Sequence, residues 1–175
     1  MRRGAFFPEV VSDMLLAKMI RRALLAAILA LIVAPAAAQD RLAYADDLAA
    51  IAADAAARRV PLMIVFTEAS CPWCTRAKRD YLVPLQARGP LASKVIVREV
   101  DVSTDRRLRG FGGEETTHRE FGRLHQVTRV PTIMILDPRG ESLAQPIVGL
   151  LSEDFYRLYL EQAIEEGLFK LRAAR

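Results

Sequence analysis

The chain holds two cysteines, and both fall in Ser70-Cys71-Pro72-Trp73-Cys74. A spacing of three places the sulfurs about one helical turn apart if a helix starts there. A sulfur at a helix start lies near unpaired backbone N–H groups and the positive end of the helix dipole, which stabilise a thiolate. The thiolate is the form that attacks a disulfide, so Cys71 is the expected nucleophile. Cys74 is placed to attack the resulting mixed disulfide and resolve it. Pro72 suits the first helical position, where its missing N–H has no intrahelical partner. Trp73 is expected to cover one side of the dithiol and to form part of a docking surface. Other uses stay open at this point. The pair would make a structural disulfide of small loop size, or half of a zinc site completed by His118 and His125, which are seven apart. It would also suit a soft metal such as Cu(I). A C-x-x-C between a strand and a helix is the arrangement that serves redox work.

The elements around the motif read as alternating strands and helices. Leu48, Ile51, Ala52 and Ala55 recur at helical spacing and predict an amphipathic helix over 41–58. The apolar run Val60 to Thr67 predicts a strand buried on both faces, as in a parallel or mixed sheet. A helix is expected from Pro72 toward Val83, with Pro84 disrupting or ending it. Val95 to Val102 is the next strand, and 103–115 is read as a polar, glycine-containing loop. Thr117 to Gln126 suits a short helix, and Ile133 to Leu136 a third apolar strand. Asp137-Pro138-Arg139-Gly140 carries turn chemistry, and a short strand near Gln145 to Val148 is expected to pair antiparallel with the strand before it. Ser152 is positioned to cap a last helix running toward Leu171. This order argues for a layered α/β fold.

The chain has 175 residues, 52% hydrophobic and 26% charged, with a formal net charge of +4. That length suits one domain with an appendage. The appendage is at the front. Lys18, Arg21 and Arg22 precede the apolar run Ala23 to Val33, and Pro35-Ala36-Ala37-Ala38 follows. These are the parts of a secretory signal peptide over 1–38, with cleavage before Gln39. A retained membrane anchor is the alternative, although the uncharged stretch Ala23 to Gln39 is 17 residues where a span needs ~20 apolar ones. Met14 or Met19 is a candidate start. Residues 1–38 hold five basic and two acidic residues, so residues 39–175 carry 20 basic against 19 acidic. That near-neutral balance removes the main support for nucleic-acid binding.

Phe66 to Cys74, FTEASCPWC, followed by Val130-Pro131-Thr132, resembles the thioredoxin superfamily over roughly 44–171. The segments DVSTDRR and FGGEETTHREFGRLHQVTRVPTIMILDPRG look most like periplasmic thioredoxins associated with sulfur-oxidation (Sox) systems. The resemblance implies a thioredoxin fold: a central mixed β-sheet flanked by helices, with an extra N-terminal helix, spanning 39–175. It implies that Pro131 is cis and faces the dithiol, and that the backbone at Val130 pairs with substrate. The substrate-contacting set is thus Trp73, Val130 and Pro131, beside the catalytic Cys71 and Cys74. It implies a periplasmic thiol–disulfide oxidoreductase, acting on protein disulfides as a reductase and supplied by a membrane electron donor of the thiol-relay type. No metal or organic cofactor is required, and a monomer is expected. A binding or chaperone-like module, or a copper chaperone without redox turnover, is the rival reading.

Departures from the family pattern matter. The intervening pair is Pro-Trp rather than Gly-Pro, and Val65 stands where thioredoxins carry a buried aspartate six residues before the first cysteine. Glu68 is the nearest upstream carboxylate, and reads as a solvated loop residue. Lys78 reads as a helix-surface lysine, and Arg106, Arg107 and Arg109 as a solvated cluster balanced by Glu114 and Glu115.

Overall fold

The computed structural model describes residues 41–87, 91–150 and 153–173. The expected leader and the Ser152 cap lie outside them. The described residues belong to one compact unit, 39–175.

The sheet is built around β1 (Leu62–Thr67), whose six residues are all buried. β2 (Ile96–Asp101) runs parallel on one side, with Val65 opposite Glu99 in register. β5 (Thr132–Leu136) runs antiparallel on the other, with Phe66 opposite Thr132. β6 (Ile147–Val148) pairs antiparallel with β5, giving the order β2-β1-β5-β6. A strand covered on both faces must be apolar at every position, and the run LMIVF meets that demand.

Alternating β1 side chains feed two cores. Met63 and Val65 join Val97, Ile133 and Ile135 under Ala77, Leu82 and Leu85, and under Tyr156, Leu160 and Ile164 of the terminal helix α5 (Glu153–Ala173). Leu62, Ile64 and Phe66 face Leu48, Ala52 and Ala55 of α1 (Leu48–Arg58) together with Phe121 of α4 (His118–Leu124). The extra N-terminal helix is therefore present, packed on the second face.

It starts at Leu48, the first of the periodic residues, and not at 41 as expected. Asp47 caps α1 by accepting the Ala50 N–H at 2.9 Å, so 41–47 stays outside the helix. That stretch pairs with the outer edge of β2 instead: the Ala45 N–H donates to the Glu99 carbonyl at 2.9 Å, and the Glu99 N–H to the Ala43 carbonyl at 2.8 Å. β2 is thus covered on both sides.

Pro84 does not end its helix. α2 (Pro72–Ala77) continues through a π turn over Lys78–Leu82 into α3 (Val83–Ala87). The Val83 N–H donates to the Lys78 carbonyl, five residues back. In a straight α-helix the proline ring would meet the carbonyl four residues earlier; widening the preceding turn relieves that clash.

The loop expected over 103–115 contains β3 (Arg107–Arg109), which hairpins onto β4 (Glu115–Thr117). Leu108 is fully buried between two exposed arginines and anchors the hairpin. The arginine cluster is not balanced by Glu114 and Glu115. Arg106 pairs with Asp46 at 2.6 Å and stacks its guanidinium over Tyr44, while Arg109 lies 3.5 Å from Asp47. The hairpin clasps the segment that enters α1.

Candidate active site

β1 delivers the dithiol. It ends at Thr67, three loop residues follow, and Cys71 takes the N-cap position of α2 in extended conformation. The Cys71 N–H donates to the Glu68 carbonyl at 3.2 Å, fixing the loop. The Cys74 N–H donates to the Cys71 sulfur at 3.0 Å. The first sulfur therefore receives one of the N–H groups that a helix start leaves unpaired, the contact that favours a thiolate. Cys71 and Cys74 form a disulfide with Cα atoms 5.3 Å apart. Cys71 is half-buried, whereas Cys74 is 1% exposed. An incoming disulfide can reach the first sulfur and not the second. Trp73, 57% exposed, stands between them in sequence with its indole largely in solvent.

β5 supplies the opposite wall. Because β5 is antiparallel to β1, its first residue, Thr132, lies at the end where β1 feeds the dithiol. The Val130–Pro131 peptide just before it is cis. The Val130 carbonyl oxygen is 3.9 Å from the Cys71 sulfur. Thr132 Oγ1 donates to the Arg129 carbonyl at 2.7 Å, and the Gly149 N–H donates to the Pro131 carbonyl at 2.7 Å, holding the segment from both sides. Gly149 has φ +80°, a conformation that glycine adopts without strain. No backbone hydrogen bond among the described residues uses the Val130 N–H. Cys71, Val130 and Pro131 thus share one face, with Cys74 sealed behind it.

A buried carboxylate lies one strand over from Val65. Glu99 is Val65's partner in register and is 4% exposed. Its Oε1 accepts from Thr67 Oγ1 at 2.6 Å and from Lys78 Nζ at 2.6 Å. Lys78 is therefore no plain surface lysine. It sits one turn beyond Cys74, donates its backbone N–H to the Cys74 carbonyl, and turns its ammonium inward. A cleft of about 640 Å³ lined by Thr75, Lys78, Glu99, Tyr44 and Val83 connects this pair to the surface. The available signal was the adjacent Arg98-Glu99 in a strand: neighbours point to opposite faces, so one charge had to enter the α2 layer. Glu68 remains a loop carboxylate, half-buried and accepting from Ser70 Oγ at 2.7 Å.

The two histidines are held elsewhere. His118 is fully buried and accepts the Asp101 N–H on Nδ1 at 2.9 Å. His125 packs against Phe121 and Phe66, at 4.3 and 6.0 Å between ring centres. Burial pushes both imidazoles below their usual pKa. Among the described residues no group of three or more His, Cys, Asp and Glu side chains is placed to hold a metal ion.

A family model described as a thioredoxin-like domain matches residues 48–164, and the chain belongs to that family. Among curated proteins none gives a significant match. In solved structures, the chain is similar to a thioredoxin-fold protein from Helicobacter pylori, with 17% identity and a TM-score of 0.52 over 79% of this chain and 91% of that one. It is also similar to DsbH oxidoreductase, with 16% identity and a TM-score of 0.48 over 71% and 85%. A poplar thioredoxin h gives 14% identity and 0.46 over 65% and 85%. The likeness to the Helicobacter pylori protein, at 17% identity, carries the fold alone. The family match is to the thioredoxin-like domain and does not reach a sulfur-oxidation subgroup. A thioredoxin-like domain with a Cys71–Cys74 pair is consistent with thiol–disulfide oxidoreductase chemistry.

Proposed function

We propose that this chain is an exported thiol–disulfide oxidoreductase of the bacterial periplasm that reduces protein disulfides. The observation that carries the reading is the asymmetry of the pair: an accessible Cys71 sulfur receiving a helix-start N–H, and a sealed Cys74 one turn behind it. In the reduced protein the Cys71 thiolate attacks one sulfur of a substrate disulfide. A new intermolecular S–S bond forms, and the substrate's other sulfur leaves as a thiolate that takes a proton from solvent. Cys74 then gives up its proton and attacks the Cys71 sulfur, forming the intramolecular disulfide and releasing the second substrate thiolate. Two electrons pass from the dithiol to the substrate. In this reading Glu99, held by Thr67 and Lys78, receives the Cys74 proton and passes it to the cleft. Val130 offers its open peptide group to an extended substrate, and Trp73 supplies the exposed apolar contact, in the manner of strand addition at an edge. A membrane-held dithiol donor must then re-reduce the pair, because the periplasm lacks a reducing thiol buffer.

Trapping tests this. A Cys74→Ala variant expressed with its native leader should accumulate mixed disulfides through Cys71, and mass spectrometry of those adducts names the substrates. Processing of the leader and periplasmic recovery are read in the same fractions. Recovery of correctly exported protein without any adduct would sink the turnover role. A reduction potential close to that of strong oxidants would reverse the direction to oxidation.

A further inference from the structure

A second, smaller cavity adjoins the Val130–Pro131 segment. It holds about 250 Å³ between the loop after α4 and the β5–β6 edge. Val127, Met134 and Val148 give it an apolar part; His125, Thr128 and Arg129 give it a polar one. No carboxylate lines it, and burial keeps the His125 imidazole uncharged at neutral pH. Its charge is therefore that of Arg129. The neighbouring arginines are matched: Arg106 with Asp46, Arg119 with Asp105, Arg123 with Glu120 and Arg139 with Asp137. Arg129 is exposed and pairs with no carboxylate among the described residues. Only its backbone carbonyl is engaged, by Thr132.

Position gives that unmatched cation a use. A chain whose cysteine reaches Cys71 must pass Val130, whose carbonyl lies 3.9 Å from the Cys71 sulfur. If it pairs with the open Val130 peptide, the next residue along it comes opposite Arg129, at the mouth of the cavity. We propose that this cavity is a side-chain subsite for the protein substrate, and that Arg129 selects an acidic residue, with an apolar stem, flanking the attacked cysteine. The inference rests on the redox reading above. Glu68 lies on the Cys71 loop rather than in this cavity, so the preference is confined to the side of the substrate that meets Arg129.

The test uses disulfide-linked peptide pairs that differ only in Glu against Lys, placed in turn at the two positions before and the two after the cysteine. kcat/KM is measured for the wild type, Arg129→Gln and Arg129→Glu, at low salt and in 0.5 M salt. The wild type should favour Glu over Lys at one flanking position by about 5-fold, the size of an exposed charge contact. Arg129→Gln should bring that ratio to about one, Arg129→Glu should invert it, and high salt should flatten it. The reduction potential should be the same in all three proteins, because Arg129 does not touch the sulfurs. A wild-type ratio of one at every position, or a Glu preference that survives Arg129→Glu, overturns the subsite. If the wild type exchanges with none of the peptides, the redox reading itself falls, and the subsite with it.

Discussion

Lys78→Met isolates the polar pair beneath the dithiol helix. The substitution keeps the aliphatic stem and removes the ammonium, leaving the Glu99 carboxylate with Thr67 alone. Breaking a fully buried pair from one side costs about 3–5 kcal/mol, whereas an exposed pair is worth about 0–1 kcal/mol. Here the Glu99 side chain is 6% exposed and that of Lys78 31%. The pair is sealed at one end and open to the cleft at the other, so the expected loss is about 2 kcal/mol. Urea unfolding of the oxidised protein reads it directly, as a midpoint lowered by about 1 M for a slope near 2 kcal/mol/M. Glu99→Gln keeps an oxygen that can accept from both Thr67 and Lys78, and should cost about 1 kcal/mol or less. The double variant Lys78→Met/Glu99→Leu, with no orphaned charge, should return to within about 1 kcal/mol of the wild type. The same variants separate stability from chemistry. Glu99→Gln should slow resolution of a preformed Cys71 mixed disulfide by about 10-fold or more, the low end of general-base effects, while leaving the first attack by Cys71 unchanged. A Lys78→Met midpoint indistinguishable from the wild type would refute the claim that Glu99 is enclosed with Lys78. Unaltered resolution in Glu99→Gln would remove its proton role.

Two further outcomes follow from buried polar atoms. The Tyr156 hydroxyl is fully buried with no hydrogen-bond partner among the described residues, and burial beside Tyr81 raises its pKa, so it stays protonated. Tyr156→Phe keeps the edge contact with Tyr81 and should stabilise the fold by about 1 kcal/mol; a lower thermal midpoint would show that the hydroxyl has a partner. His118 and His125 have pKa values lowered by burial, so the unfolded chain binds protons that the folded one does not. Their contribution is complete above about pH 6.5 and is lost as pH falls toward their folded values. A protonated His118 would also set a donor against the Asp101 N–H. The urea midpoint should therefore fall between pH 7 and pH 5, before carboxylates titrate; a flat or rising midpoint there would contradict this.

The Cys-Pro-Trp-Cys step and the apolar run before it specify a strand-to-helix turn by local chemistry, whereas the part expected of Val130-Pro131-Thr132 came from the family resemblance alone. The antiparallel β1–β5 pairing brings the two segments to one end of the sheet. What escaped depended on contacts across the chain. Glu99 looks like any strand glutamate until β2 is set beside β1 in register and Lys78 is turned inward. Arg106 and Arg109 look balanced by Glu114 and Glu115 until the hairpin around Leu108 brings them, still exposed, to Asp46 and Asp47. The helix expected over 41–58 took in 41–47, yet the Asp47 cap and the outer edge of β2 claim them. In each of these cases a partner distant in sequence outweighed a local preference. Pro84 signals a disruption or an end of its helix, and the widened turn just before it is that disruption.

The proposed chemistry makes Cys71 the attacking sulfur and Cys74 the resolving one. The direct measurement is the mass of the adduct formed when reduced single-cysteine variants meet a disulfide-bonded peptide. Cys74→Ser should gain one peptide half through Cys71 within the time that the wild type completes turnover, and Cys71→Ser should stay unmodified because Cys74 is sealed. An adduct on Cys74 at the rate seen for Cys71, or none on Cys71, would contradict the account.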